Sequence, residues 1–143
     1  MIKHQKQDYN ECQLATFAML TDKTLEEVRL LALRIVNKRT WREFLNCVPD
    51  QEYWPLLKLI CDRLGMPYFI PYQMFPSSNK SPNLSGKGQI TIKWTIDTAH
   101  AMAFEDGLVY DPNSDGPVTW EEWLAIVPKR YGLTIEKIMV NKL

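Results

Sequence analysis

His100-Ala101-Met102-Ala103-Phe104-Glu105-Asp106-Gly107-Leu108-Val109-Tyr110-Asp111 is the stretch that decides how this chain is read. Two short apolar runs flank Asp106-Gly107, and an Asp-Gly pair is suited to a two-residue turn between antiparallel strands. Such a turn sets Glu105 across from Leu108, Phe104 from Val109, Met102 from Asp111 and His100 from Asn113. His100, Met102, Asp111 and Asn113 then share one face, with Asn113 directly opposite His100 and Asp111 one diagonal away. A carboxylate at that diagonal can hold an imidazole by its N–H, so Asp111 is the first choice as its orienter. The register matters, because a slip of one residue would turn Asp111 to the other face.

Upstream of the hairpin, Ile90, Ile92 and Trp94 alternate with Thr91 and Lys93, a period of two that predicts another strand. Downstream, Thr119 and Glu122 match a capping box that opens a short helix carrying Trp120, Trp123 and Leu124. Leu133 to Val140 alternates again as a closing strand. Met66 to Gly88, with Pro67, Pro71, Pro76 and Pro82, reads as the connection between two halves. Its Ser77 to Gly88 portion is expected to be a loop, disordered by default and a lid as the alternative.

The first two-fifths of the chain has helical rather than strand spacing. Asn10 is placed to cap a helix with Gln13 at its third position, followed by Leu14, Phe17 and Ala18 and ending near Thr21 to Lys23. Thr24 with Glu27 and Thr40 with Glu43 are capping boxes for two more helices, the first carrying the stripe Leu25, Val28, Leu31, Ala32 and Ile35. A further helix is predicted from about Glu52 to Leu64, burying Leu56, Leu59, Ile60 and Leu64 with Trp54 beneath it, and ending at Gly65. Helices followed by an antiparallel sheet define the α+β class.

A chain of 143 residues with 45% hydrophobic content can build one sizeable core, so one domain over residues 1–143 is expected. Seventeen basic and seventeen acidic residues cancel, which argues against nucleic acid or an anionic membrane as partner. The polar opening from Met1 to Asn10 lacks the apolar run of a signal peptide, so a cytoplasmic setting is expected. Cys12, Cys47 and Cys61 are odd in number and far apart, which fits reduced thiols rather than a disulfide framework. Cys47 and Cys61 lack the spacing of a zinc site and read as packing residues, so no metal is expected. Four of the five tryptophans read as core, while Lys3, Lys6 and Lys38-Arg39 read as solvated faces.

Cys12 falls in the first turn of the opening helix, where unpaired N–H groups carry partial positive charge and lower a thiol pKa from roughly 8.5. A nearby imidazolium would stabilise the thiolate further, and of the two histidines, His4 and His100, only His100 has a carboxylate at hairpin spacing. The candidate catalytic set is therefore Cys12 as nucleophile, His100 as base and Asp111 as orienter.

The segments Gln7-Asp8-Tyr9-Asn10-Glu11-Cys12-Gln13-Leu14-Ala15, His100 to Phe104 and Asp106 to Pro112 resemble those of papain-like cysteine peptidases. The pattern is most similar to the double-glycine leader peptidases of bacteriocin exporters and their stand-alone relatives. In these families a helix-borne Cys precedes a strand-borne His, and an Asp or Asn on the next strand completes the triad. The resemblance implies a papain-like fold and cleavage of an amide bond in a peptide or protein substrate, with no cofactor. The family usually has Gly after the nucleophile, so Gln13 is expected to narrow or reshape the approach to the thiol. Its oxyanion-hole Gln lies six residues before the Cys, where this chain has Lys6; that leaves Gln7, favoured for its shorter tether, or Gln5. Transglutaminase-like acyl transfer and an inactive binding module are the alternative functions on the same scaffold.

Overall fold

Local capping explains where most of the helices begin. The computed structural model describes residues 1–8, 10–66, 73–76, 81–96 and 98–143, with 73–76 as backbone alone. Helices α1 (Cys12–Thr21), α2 (Leu25–Val36), α3 (Trp41–Cys47) and α4 (Asp50–Leu64) form the first half. At α2 the capping box is complete: Thr24 Oγ1 accepts the Glu27 N–H at 3.1 Å, and Glu27 Oε1 accepts the Thr24 N–H at 3.2 Å. At α3, Thr40 accepts the Glu43 N–H at 3.0 Å, but the Glu43 carboxylate turns to the backbone N–H of Arg39.

Helix α1 departs from the expected cap. Asn10 adopts φ +58°, a left-handed conformation that Asn tolerates, and Glu11 takes the cap position without a capping bond from its side chain. The missing acceptor comes from Gln7, whose Oε1 takes the Glu11 N–H at 2.9 Å. Every residue from Gln13 to Leu20 is buried, so α1 is a central helix covered on all sides rather than a half-exposed one.

Helix α4 buries Leu57, Ile60, Cys61 and Leu64, the i, i+3, i+4, i+7 set that appears once Cys61 is counted as a small apolar residue. The expected face is thereby rotated. Leu59 and Trp54 are exposed, because Trp54 shares the outward i, i+4, i+8 row with the ion-paired Lys58 and Asp62. Cys47 is exposed as well and is not a packing residue.

The second half contains β1 (Gln73–Pro76), β2 (Lys87–Trp94), β3 (Ala99–Glu105), β4 (Leu108–Tyr110), β5 (Val118–Thr119), α5 (Trp120–Tyr131) and β6 (Ile135–Lys142). All the pairings are antiparallel, in the order β1-β6-β2-β3-β4-β5. Strand β6, the closing strand of the sequence reading, lies inside the sheet between β1 and β2. Strand β1 emerges within the stretch read as a plain connection; Pro76 suits its edge position. Residues 77–80, part of the Ser77 to Gly88 loop, lie outside the described residues.

The β3–β4 register runs Ala103 to Tyr110, Phe104 to Val109 and Glu105 to Leu108, with Asp106 and Gly107 at φ +48° and +89° as a two-residue turn demands. Alternation along β3 divides the core between the two faces of the sheet. Ala103 joins the cluster formed with α1 to α4, while Met102 and Phe104 join Ile90, Ile92, Trp120 and Trp123 on the α5 side. The absence of a side chain at Gly88 lets β2 and β6 approach: a Cβ there would lie 2.1 Å from the Asn141 carbonyl oxygen. Among the described residues no helix is long and apolar enough to cross a membrane.

Candidate active site

Strand β4 ends at Tyr110, just before Asp111-Pro112, whereas β3 continues back to Ala99 beyond the last paired residue, Ala103. Proline lacks the N–H that would extend the ladder. The edge of β3 around His100 to Met102 is therefore open, and α1 brings its first turn there: the Ala101 N–H bonds to the Cys12 thiol. The end of one short strand thus makes room for the sulfur.

Asp111 is 1% exposed, and its carboxylate is surrounded by donors. Oδ1 accepts His100 Nε2–H at 2.7 Å and the Asn113 N–H at 2.8 Å, while Oδ2 accepts Trp123 Nε1–H at 2.8 Å. Burial alone would raise the Asp111 pKa, but these bonds and the charge of His100 hold it below the usual carboxylate value. Trp123 is itself fixed between Trp120, at 5.3 Å between ring centres, and Trp94, at 6.1 Å.

With Nε2 committed to Asp111, the other ring nitrogen of His100 is the one available to Cys12, which lies beside the ring. Burial would drive the imidazole towards its neutral form; the bonds and charges of Asp111 and Cys12 outweigh it and raise the pKa to about 10. Burial would likewise raise the Cys12 pKa. The bond and charge of His100, helped by the N–H groups of Ala101 and Gln13, lower it below 9.0. These opposite shifts favour a thiolate and imidazolium over the neutral pair.

Around this core the N-terminal segment is strapped to the residues after β4. The Gln7 N–H bonds to the Pro112 carbonyl at 2.9 Å, a ring nitrogen of His4 to the Asp111 carbonyl at 2.8 Å, and Lys6 to Asp115 at 2.7 Å. Gln7 holds the head of α1 through Oε1 and gives Nε2 to Asn113 Oδ1 at 2.6 Å. Asn113 thus touches both Gln7 and Asp111. Gln5 is half-buried and makes no side-chain hydrogen bond among the described residues.

The Gln13 side chain is engaged inside the fold. Its buried amide pairs reciprocally with Gln89 of β2, at 2.7 and 3.1 Å, and Gln89 also reaches Thr91 at 3.0 Å. On the other side of Cys12, Glu11 is 5% exposed and takes a forked bond from Arg29 at 2.6 and 2.8 Å. Arg29 also pairs with Asp8. A carboxylate adjacent to a thiolate would disfavour it, and Arg29 offsets that charge.

The sequence reading brought Cys12, His100 and Asp111 together and missed Trp123, Arg29 and Gln89. Trp123 follows a recognised capping box, but nothing in spacing aims an indole N–H at a residue on another element. Glu11 directly before Cys12 is the one signal in the sequence that could have prompted a search for a basic partner.

No protein family and no curated protein sequence matches this chain. Among solved structures the chain is similar to the Pseudomonas avirulence protein AvrPphB, with a TM-score of 0.61 and 11% identity, over 98% of this chain and 96% of that one. At this identity the likeness bears on the fold: the helical half and antiparallel sheet have a papain-like layout.

Proposed function

We propose that this protein is a cysteine peptidase that cleaves an amide bond of a peptide or protein through a thioester on Cys12. The observation that carries the reading is the buried His100 ring held by Asp111 at 2.7 Å, with the Cys12 thiol beside it and its pKa lowered by His100 against the pull of burial. The papain-like layout supports it.

The Cys12 thiolate attacks the carbonyl carbon, forming a C–S bond and moving negative charge onto the carbonyl oxygen. The unpaired N–H of Cys12 in the first helical turn and the second hydrogen of Gln7 Nε2 are the donors for that oxygen; losing one such donor costs about 3 kcal/mol of barrier. The C–N bond breaks as imidazolium His100 gives its proton to the leaving amine. Neutral His100 then takes a proton from water, whose oxygen attacks the thioester, and the acid product leaves with the thiolate restored. Asp111 keeps the ring oriented throughout, and Trp123 and Asn113 keep Asp111 in place. No cofactor takes part in these steps.

Alkylation tests the activated sulfur. At pH 6, iodoacetamide should modify Cys12 faster than the exposed Cys47, read by peptide mass spectrometry; equal rates would remove the basis for the mechanism. Trapping the acyl-enzyme formed with a peptide ester and comparing water with added amines as acceptors distinguishes hydrolysis from acyl transfer.

A further inference from the structure

Gln7 is anchored twice to the turn that carries Asp111. Its backbone N–H bonds to the Pro112 carbonyl at 2.9 Å, and its side-chain Nε2 donates to Asn113 Oδ1 at 2.6 Å. The polarity of this amide is decided at the head of α1. The Glu11 backbone N–H can only donate, so the Gln7 atom 2.9 Å from it must be Oε1. Nε2 is then left to face Asn113, whose own amide must present its oxygen. An amide group is planar, so a single bond at Oε1 still lets it swing about that contact. A second bond at Nε2 fixes the plane, and with it the direction of the remaining hydrogen. That hydrogen has no partner among the described residues.

The backbone of Asn113 is in turn fixed by the group that orients His100. Its N–H bonds to Asp111 Oδ1 at 2.8 Å, the oxygen that also holds the His100 ring at 2.7 Å, and the Ser114 N–H closes the turn on the Asp111 carbonyl at 3.0 Å. We propose that the Asn113 side chain is a positioning residue for catalysis: it holds the Gln7 amide with its free N–H turned to the oxyanion. The donor and the orienting carboxylate are thereby mounted on one turn. The inference rests on the cysteine peptidase reading and on Gln7 as a donor, and adds the residue that sets that donor's direction.

The test compares a reaction of Cys12 that needs an oxyanion donor with one that does not. In acylation by p-nitrophenyl acetate the thiolate attacks a carbonyl carbon and nitrophenolate leaves. In alkylation by iodoacetamide it displaces iodide, and no carbonyl oxyanion forms. Acylation is read as nitrophenolate release above that of C12A, alkylation by peptide mass spectrometry. Q7A, which removes the donor, should cut the ratio of acylation to alkylation about 100-fold. N113A keeps the backbone N–H to Asp111 and should cut the ratio about ten-fold, the size of one hydrogen bond. The double variant should match Q7A, because Asn113 acts only through that amide. A ratio unchanged in N113A, as a structural loss that slows both reactions alike would give, overturns the role of Asn113 and leaves the reactive thiol intact. So does a ratio unchanged in Q7A, or a double variant about ten-fold below Q7A. If the unaltered protein releases nitrophenolate no faster than C12A, the catalytic reading fails and the positioning role with it.

Discussion

Two helices of the same half carry cysteines with opposite chemistry. Cys12 lies in the first turn of α1, and Cys61 in the last turns of α4, fully buried. Burial pushes both thiols towards their neutral form. At Cys61 the neighbouring Asp62 adds to that push and the pKa rises to about 12, whereas at Cys12 the His100 imidazolium and two backbone N–H groups reverse it. Burial therefore does not decide thiol reactivity in this protein; the partner that the fold delivers does.

The strongest way to break the contrast is H100A. Removing the imidazole leaves burial unopposed, so the Cys12 pKa should move upward in the direction of Cys61. Turnover should fall on the order of 10⁴-fold, measured by peptide hydrolysis alongside thiolate absorbance against pH. The intact protein should show a bell-shaped rate profile. Thiolate forms as pH rises through the lowered Cys12 value, so the ascending limb lies below 9.0; imidazolium is lost as pH rises through the raised His100 value, so the descending limb lies well above 6.5.

D111N keeps the shape of the side chain but removes the charge that raises the His100 pKa. A loss of about 100-fold in kcat is expected, together with a shift of the descending limb towards lower pH; a descending limb that stays put would show that Asp111 does not set it. R29Q acts one step further out, leaving Glu11 buried beside Cys12 without its counter-charge. Chemical denaturation should show a loss of about 2 kcal/mol, the buried-pair figure reduced for the exposed side of Arg29, and the Cys12 pKa should rise. C61A is expected to have the smallest effect, about 1 kcal/mol of stability with the Cys12 alkylation rate unchanged, since Cys61 only fills space.

Residues joined through local geometry were readable in the chain. The Asp106-Gly107 turn fixed which residues face each other, and the pairing of Asp111 with His100 followed from that register. The capping motif at Thr24 likewise located α2. Asn10 misled because the chemistry that makes Asn a good cap also lets it adopt a left-handed conformation, and the acceptor at α1 came from Gln7 instead. The Trp123 bond to Asp111, the Arg29 fork on Glu11 and the insertion of β6 between β1 and β2 depend on how separate elements pack, which periodicity does not encode. Trp54 and Cys47 show the complementary failure: hydrophobic type alone does not assign a helix face.

The interior position of β6 bears on when this chemistry becomes available during protein synthesis. As the chain emerges from the ribosome, Cys12 appears early, but the imidazole, the carboxylate and the indole that supports it come much later, and the strand between β1 and β2 comes last. On the proposed mechanism, a nascent chain would carry an ordinary thiol until the segments bearing His100, Asp111 and Trp123 had emerged and packed against α1.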